Sequence, residues 1–158
     1  MPVDVSTPSD REIRTARTVD APAALVFECH TRPDLLKRWL LGPDGWTMPV
    51  CEVDLKVGGA YRYQWLGAGG ETMAMSGLYR EIDAPTRIVQ TQLFNDDPAS
   101  EAIVTLDLVE TDGRTTVINQ ILYPSKEARD MMLQSGMAEG MEAGYGRLES
   151  LIAEIGEG

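Results

Sequence analysis

The chain has 158 residues, the size of one domain, and its 25 acidic against 14 basic residues give a net charge of −11. One histidine and two cysteines exclude HExxH or finger-type zinc sites and a disulfide scaffold, so no metal is expected. The acidic balance argues against nucleic-acid and membrane-surface partners. Without a membrane-spanning run or a signal peptide, the sequence predicts a cytoplasmic domain over 11–156 after a disordered tail at 1–10.

The first third of the domain combines one strand with two short helices. Residues 12–19 alternate β-branched and polar side chains, which predicts a strand. Asp20 and Pro22 then favour the start of a helix over 23–30, and apolar residues at helical spacing predict a second helix over 34–41.

The middle of the chain consists of extended segments separated by turn residues. The predicted strands are 49–55, 60–66, 72–82, 86–94, 101–110 and 114–123. The breaks between them are short, which requires antiparallel pairing. Together with 12–19 they form a seven-stranded sheet, but the alternation does not settle which face of 86–94 or 114–123 points inward.

The C-terminal part of the chain is helical in pattern. Ser125 is the expected N-cap of one long amphipathic helix that runs to about Ile155, with a bend allowed near Gly136. A sheet of this size needs its apolar face covered, and this helix is the natural cover. The predicted fold class is therefore α+β, with two short helices and a long C-terminal helix over a curved antiparallel sheet.

Several segments, taken in their order and spacing, resemble the START-like SRPBCC superfamily. They are VDAPA at 19–23, Trp39, DLKVGG at 54–59, GLYREI at 77–82, YPSKEARD at 123–130 and SGMAEGM at 135–141. The most similar branch is that of the activator of the heat-shock-protein-ninety ATPase. The resemblance implies a helix-grip fold, as in START domains and the birch-pollen allergen, with a cavity between sheet and long helix.

The resemblance also implies a function, because members of the superfamily hold lipids, polyketides or aromatic molecules in that cavity. Aromatic and methionine side chains at strand and helix spacing predict an apolar or amphipathic small-molecule ligand here. Six of the seven internal methionines fall on 72–82 or on the long helix. The candidate ligand-binding residues are Trp39, Tyr61, Tyr63, Trp65, Met73, Met75, Tyr79, Val104, Leu106, Asn119, Met137, Met141, Gly144 and Tyr145.

Two other functions stay open at this stage. A cyclase or hydrolase would need an ionisable group in the cavity, and Glu81, which shares strand parity with Tyr79, is the candidate catalytic residue. His30 is more simply a residue at a helix C-terminus. The third function is an interaction module that stimulates a chaperone ATPase. No cofactor is expected, and the protein is a monomer or a homodimer.

Overall fold

The computed structural model describes residues 3–41 and 45–157, and within them the chain forms eight strands and four helices. The strands are β1 (Asp4–Ser6), β2 (Glu12–Val19), β3 (Thr47–Val53), β4 (Ala60–Leu66), β5 (Thr72–Asp83), β6 (Arg87–Phe94), β7 (Asp97–Thr111) and β8 (Arg114–Leu122). The helices are α1 (Ala23–Thr31), α2 (Pro33–Trp39), α3 (Lys126–Gln134) and α4 (Met137–Glu157).

All described strands join one curved antiparallel sheet in the order β1-β2-β8-β7-β6-β5-β4-β3. The predicted α+β class is confirmed, with eight strands instead of seven. The additional strand is β1, which pairs with β2 from Asp4 opposite Ala16 and falls inside the predicted tail at 1–10. Its three side chains are exposed, so the strand depends on backbone hydrogen bonds to the edge of β2. Side-chain composition therefore predicts disorder where the structure has a strand.

The covering layer at the C-terminus is two helices, which corrects the predicted single helix. Ser125 caps α3 as expected, since its side chain accepts a hydrogen bond from the backbone of Ala128. The helix ends at Gln134, and Gly136 shortly after it has a φ of +79°, a conformation that glycine adopts without strain. The chain then restarts as α4 at Met137, and α3 packs against β2 whereas α4 packs against α2.

The core lies between α1, α2, α4 and one face of the sheet, here called the inner face. Residues Ile13, Thr15, Arg17 and Val19 of β2 alternate onto it and are all buried. The helices contribute side chains that are almost fully enclosed, among them Val26, Leu36, Trp39, Tyr145 and Leu148. The opposite face of the sheet, called the outer face, carries mainly charged and polar residues.

Candidate functional site

An aromatic row forms the floor of the candidate site. Tyr61, Tyr63 and Trp65 share the inner face of β4, as the alternation predicts, and all three are buried. Ring centroids lie 5.1 Å apart for Tyr61 and Tyr63 and 5.8 Å apart for Tyr63 and Trp65, while Tyr79 on β5 lies 5.5 Å from Tyr61. Because these rings pack on one another, the row acts as core.

One hydroxyl of this row crosses a neighbouring strand. The Tyr61 hydroxyl on β4 donates to the backbone carbonyl of Thr91 on β6, at 2.6 Å, although β5 lies between them. Gly77 on β5 is the direct partner of Tyr61 in the ladder, and a Cβ there would lie 2.0 Å from that carbonyl oxygen. The glycine therefore makes room for the hydrogen bond. Burial raises the pKa of Tyr61 to about 12, so the hydroxyl stays protonated.

Four methionines of β5 and α4 lie at the edges of the apolar core. Met73 and Met75 lie on β5, and Met137 and Met141 lie on the first turns of α4. All four are half-buried, and they pack against the edges of the apolar core. We call these four residues the methionine rim. The rim is therefore partly accessible, whereas the floor is closed.

The structure settles the inward faces of β6 and β8. Gln90 and Gln92 stand directly opposite Val104 and Ala102 of β7, both buried on the inner face, so both glutamines point inward. Asn119 stands opposite Leu106, which is also buried. The central strands of the inner face thus carry amides between apolar neighbours.

Asn119 and Trp39 meet at the same ring of α4. The Asn119 side chain donates to the Tyr145 hydroxyl at 3.1 Å. Trp39 stacks on the other part of Tyr145 with a centroid separation of 6.0 Å and donates from its ring nitrogen to the carbonyl of Cys29. Burial raises the pKa of Tyr145, which keeps this phenol neutral as well. Three predicted site residues are therefore brought together.

Arg17 is a site residue that the sequence reasoning missed. Its guanidinium is buried and bonds to Glu142 at 3.1 Å and Glu149 at 2.5 Å, two turns apart on α4, and it lies 5.9 Å from the centre of the Tyr145 ring. Burial opposes its charge, but the hydrogen bonds that it donates to the two carboxylates outweigh burial and raise the pKa of Arg17. Strand parity could have identified it, because Arg17 alternates onto the same face of β2 as the buried Ile13.

Glu81 does not lie in the site. The ladder between β5 and β6 shifts register between Tyr79 and Glu81, and such a bulge reverses the facing of every later residue. Glu81 is consequently exposed on the outer face, where it pairs with Arg87 at 3.0 Å. The predicted shared parity with Tyr79 is wrong, and with it the placement of a catalytic carboxylate in the cavity.

Gly144 also has a different environment from the one predicted. A Cβ there would lie 3.5 Å from the carbonyl oxygen of Trp39, an ordinary contact distance, so this position packs against α2. Gly140, one turn earlier, has no atom within 4 Å of its Cβ position. On this part of α4, open space therefore lies at Gly140, between Met137 and Met141.

Buried titratable groups elsewhere offer no nucleophile and base. Burial raises the pKa values of Cys29 and Cys51 to about 11, so both thiols are neutral near pH 7. The Nδ1 of His30 lies 2.8 Å from the carbonyl oxygen of Val26, and its ring lies edge-on to Trp39. Among the described residues, no three His, Cys, Asp or Glu side chains are placed to hold a metal ion.

Two surface depressions of about 440 Å³ lie away from the methionine rim. One is between the start of α1 and the end of α4, where Leu25 and Ile152 line it. The other is on the outer face, lined by Arg62, Leu78 and Leu93 among others. The enclosed cavity expected between sheet and long helix stays a prediction. None of the helices in 3–41 and 45–157 is long and apolar enough to cross a membrane.

Comparisons with known proteins agree with this architecture. The family model described as "Activator of Hsp90 ATPase homolog 1-like protein" matches residues 20–153. A crystal structure from Rhodobacter sphaeroides is similar with a TM-score of 0.91 and 29% identity, over 98% of this chain and 99% of that chain. One from Mycobacterium smegmatis has a TM-score of 0.84 and 24% identity, over 95% and 96%. The solution structure of an AHSA1-like protein from Aeromonas hydrophila is similar with a TM-score of 0.70 and 18% identity, over 87% of this chain and 93% of that chain. No curated protein matches the chain.

Proposed function

This chain belongs to the family of Activator of Hsp90 ATPase homolog 1-like proteins, and from that premise we propose that it binds an apolar or amphipathic small molecule under the first turns of α4. The observation that carries the proposal is the methionine rim, which places half-buried, adaptable side chains on both the sheet and the helix. A ligand between these walls would bury surface that the chain leaves accessible, and the hydrophobic effect would drive its binding.

The local backbone supports the same position. Gly140 lies between Met137 and Met141 on α4 and has open space at its Cβ position. A glycine inside a helix lowers the stability of the helix by roughly 1 kcal/mol relative to alanine. Room for a ligand would account for a glycine at this position. Since Glu81 lies on the outer face, binding without catalysis is the function we propose.

The test is to fill that space from the helix side. Gly140→Leu is expected to weaken binding of the neutral fluorescent probe N-phenyl-1-naphthylamine at least tenfold, because the new side chain occupies the ligand volume. Gly146→Leu is the matched control, since Gly146 lies on the same helix and its Cβ position is also open, but the residue is exposed. Probe fluorescence titration gives both affinities. Equal binding of the probe by the two variants would mean that no ligand binds beside Gly140.

The outer face favours a second candidate function, an interaction module that stimulates a chaperone ATPase. Leu78 is 51% exposed beside the outer depression, whose rim carries Arg62 and Glu52, a pattern suited to protein docking. If this function operates, added protein raises the ATPase rate of an Hsp90-type chaperone several-fold, and Leu78→Asp abolishes the effect. Gly140→Leu should then stimulate normally. An unchanged ATPase rate with the wild-type chain would exclude this function for the chaperone tested.

A further inference from the structure

Buried polar atoms without a protein partner concentrate at one place on the inner face. In the described part of the chain there are four such side-chain atoms, and three of them are Thr15 Oγ1, Arg17 Nε and Glu142 Oε2. Thr15 is 1% exposed and Arg17 is 5% exposed. Buried polar groups are rarely left unpaired in folded proteins, so three on residues joined by one face of β2 and by the Arg17–Glu142 bond need a common explanation.

These residues form one contiguous group. Thr15 and Arg17 are two positions apart on β2 and therefore share the inner face, and Arg17 bonds to Glu142 of α4. Thr15 pairs across the ladder with Asn119, whose side chain donates to the Tyr145 hydroxyl. We call these five residues the polar cluster. Met137 of α4 packs against the apolar group that contains Ile13, two positions before Thr15 on the same face of β2, so the cluster adjoins the α4 end of the methionine rim.

The unpaired atoms define what would fit. Arg17 Nε–H can only donate, Glu142 Oε2 accepts when ionised, and the Thr15 hydroxyl can do either. A partner must therefore both accept and donate hydrogen bonds. Arg17 carries one positive charge, whereas Glu142 and Glu149 together carry two negative charges, so the group leaves a net negative charge that disfavours an anion.

From this chemistry we infer that the polar cluster binds the hydroxyl group of an uncharged ligand whose apolar body lies against Met137 and Met141, the α4 end of the methionine rim. The inference rests on the proposed small-molecule binding and specifies its ligand class as apolar alcohols or phenols. In the complex, the ligand oxygen accepts from Arg17 Nε–H, and its hydrogen is donated to Glu142. Thr15 supplies the third contact. A carboxylic acid of the same shape is repelled by Glu142 and Glu149.

The experiment compares three probes of similar size: 2-naphthol, 2-methylnaphthalene and 2-naphthoate. Affinities are measured by fluorescence titration against the wild-type chain. We expect 2-naphthol to bind at least tenfold more tightly than either of the others. If no probe binds, both the proposed function and this inference fail. If 2-naphthol and 2-methylnaphthalene bind equally, or 2-naphthoate binds best, small-molecule binding stands but the hydroxyl assignment is overturned.

A conservative variant tests the cluster itself. Thr15→Val keeps the shape of the side chain and removes a hydroxyl that has no protein partner, so the fold should persist with an unchanged or higher Tm. It should weaken 2-naphthol binding about fivefold to tenfold and leave 2-methylnaphthalene binding unchanged. Thr18→Val is the matched control, because Thr18 bonds to Thr116 on the outer face of the same strand. An unchanged preference for 2-naphthol in Thr15→Val would refute the inference.

Discussion

Gly77→Ala should lower the free energy of unfolding by about 3 kcal/mol, the upper part of the usual range for an overpacked site. The new Cβ would lie 2.0 Å from the Thr91 carbonyl oxygen and 2.9 Å from the Thr91 hydroxyl oxygen. That carbonyl accepts from Tyr61, and that hydroxyl accepts from the backbone of Leu78. The obstacle is the backbone of a central strand, so relief requires β6 to move and both hydrogen bonds to be lost. Urea denaturation followed by tryptophan fluorescence measures the change.

The matched control for this prediction is the same substitution where space is open. Gly140→Ala should raise the free energy of unfolding by roughly 0.5–1 kcal/mol, because alanine is the better helix former and meets no atom within 4 Å. Opposite signs for one added methyl group would show that close approach, and not glycine itself, decides the effect. If the Gly77→Ala variant is as stable as the wild type, β6 can shift at little cost in free energy, and the hydrogen bond from Tyr61 does not fix its position.

The second large effect is a loss of stability on mild acidification, caused by His30. Burial lowers the pKa of His30 from its ordinary 6.5 to about 4, and the nearby Val26 carbonyl opposes this only in part. Below pH 6.5 His30 binds a proton in the unfolded chain, whereas in the folded chain it binds one only near pH 4. The free energy of unfolding should therefore fall by about 2 kcal/mol between pH 7 and pH 5. Denaturation curves at a series of pH values measure it.

Because the chain has a single histidine, a histidine titration can be assigned to His30 directly. His30→Gln cannot titrate, so its free energy of unfolding should change little over the same interval, even if the variant is less stable at pH 7. The ring resonance of His30 in the NMR spectrum should shift with a midpoint close to 4 in the folded protein. A midpoint near 6.5, or an equally steep loss of stability in His30→Gln, would contradict the role assigned to burial.

Most of the secondary structure follows from local signals, and the exceptions have physical causes. Alternating side chains and turn residues mark every strand from β2 to β8, because strand periodicity and turn chemistry are both properties of neighbouring residues. β1 escapes prediction because it gains backbone hydrogen bonds without burying side chains. The break at Gly136 depends on one left-handed residue, which the sequence marks only as a possible bend.

The candidate site is less predictable than the fold, because the direction in which a side chain points and how deeply it is buried depend on tertiary structure. A one-residue shift in β5 turns Glu81 outward, and no residue type marks that shift. Trp39 and Tyr145 are candidate ligand-binding residues, and only the structure shows that they stack on each other across two helices. Arg17 resembles a surface residue until Glu142 and Glu149, far along the chain, pair with it.

The buried arginine also has a consequence for biosynthesis. Its two carboxylate partners lie 125 and 132 positions later in the chain, and the long ladder of β2 is made with β8. When the ribosome has just finished β7, β2 has no neighbouring strand other than β1. Contacts this distant in sequence form slowly. This side of the sheet therefore closes only when translation of the domain is nearly complete, and β2 lacks its β8 partner until then.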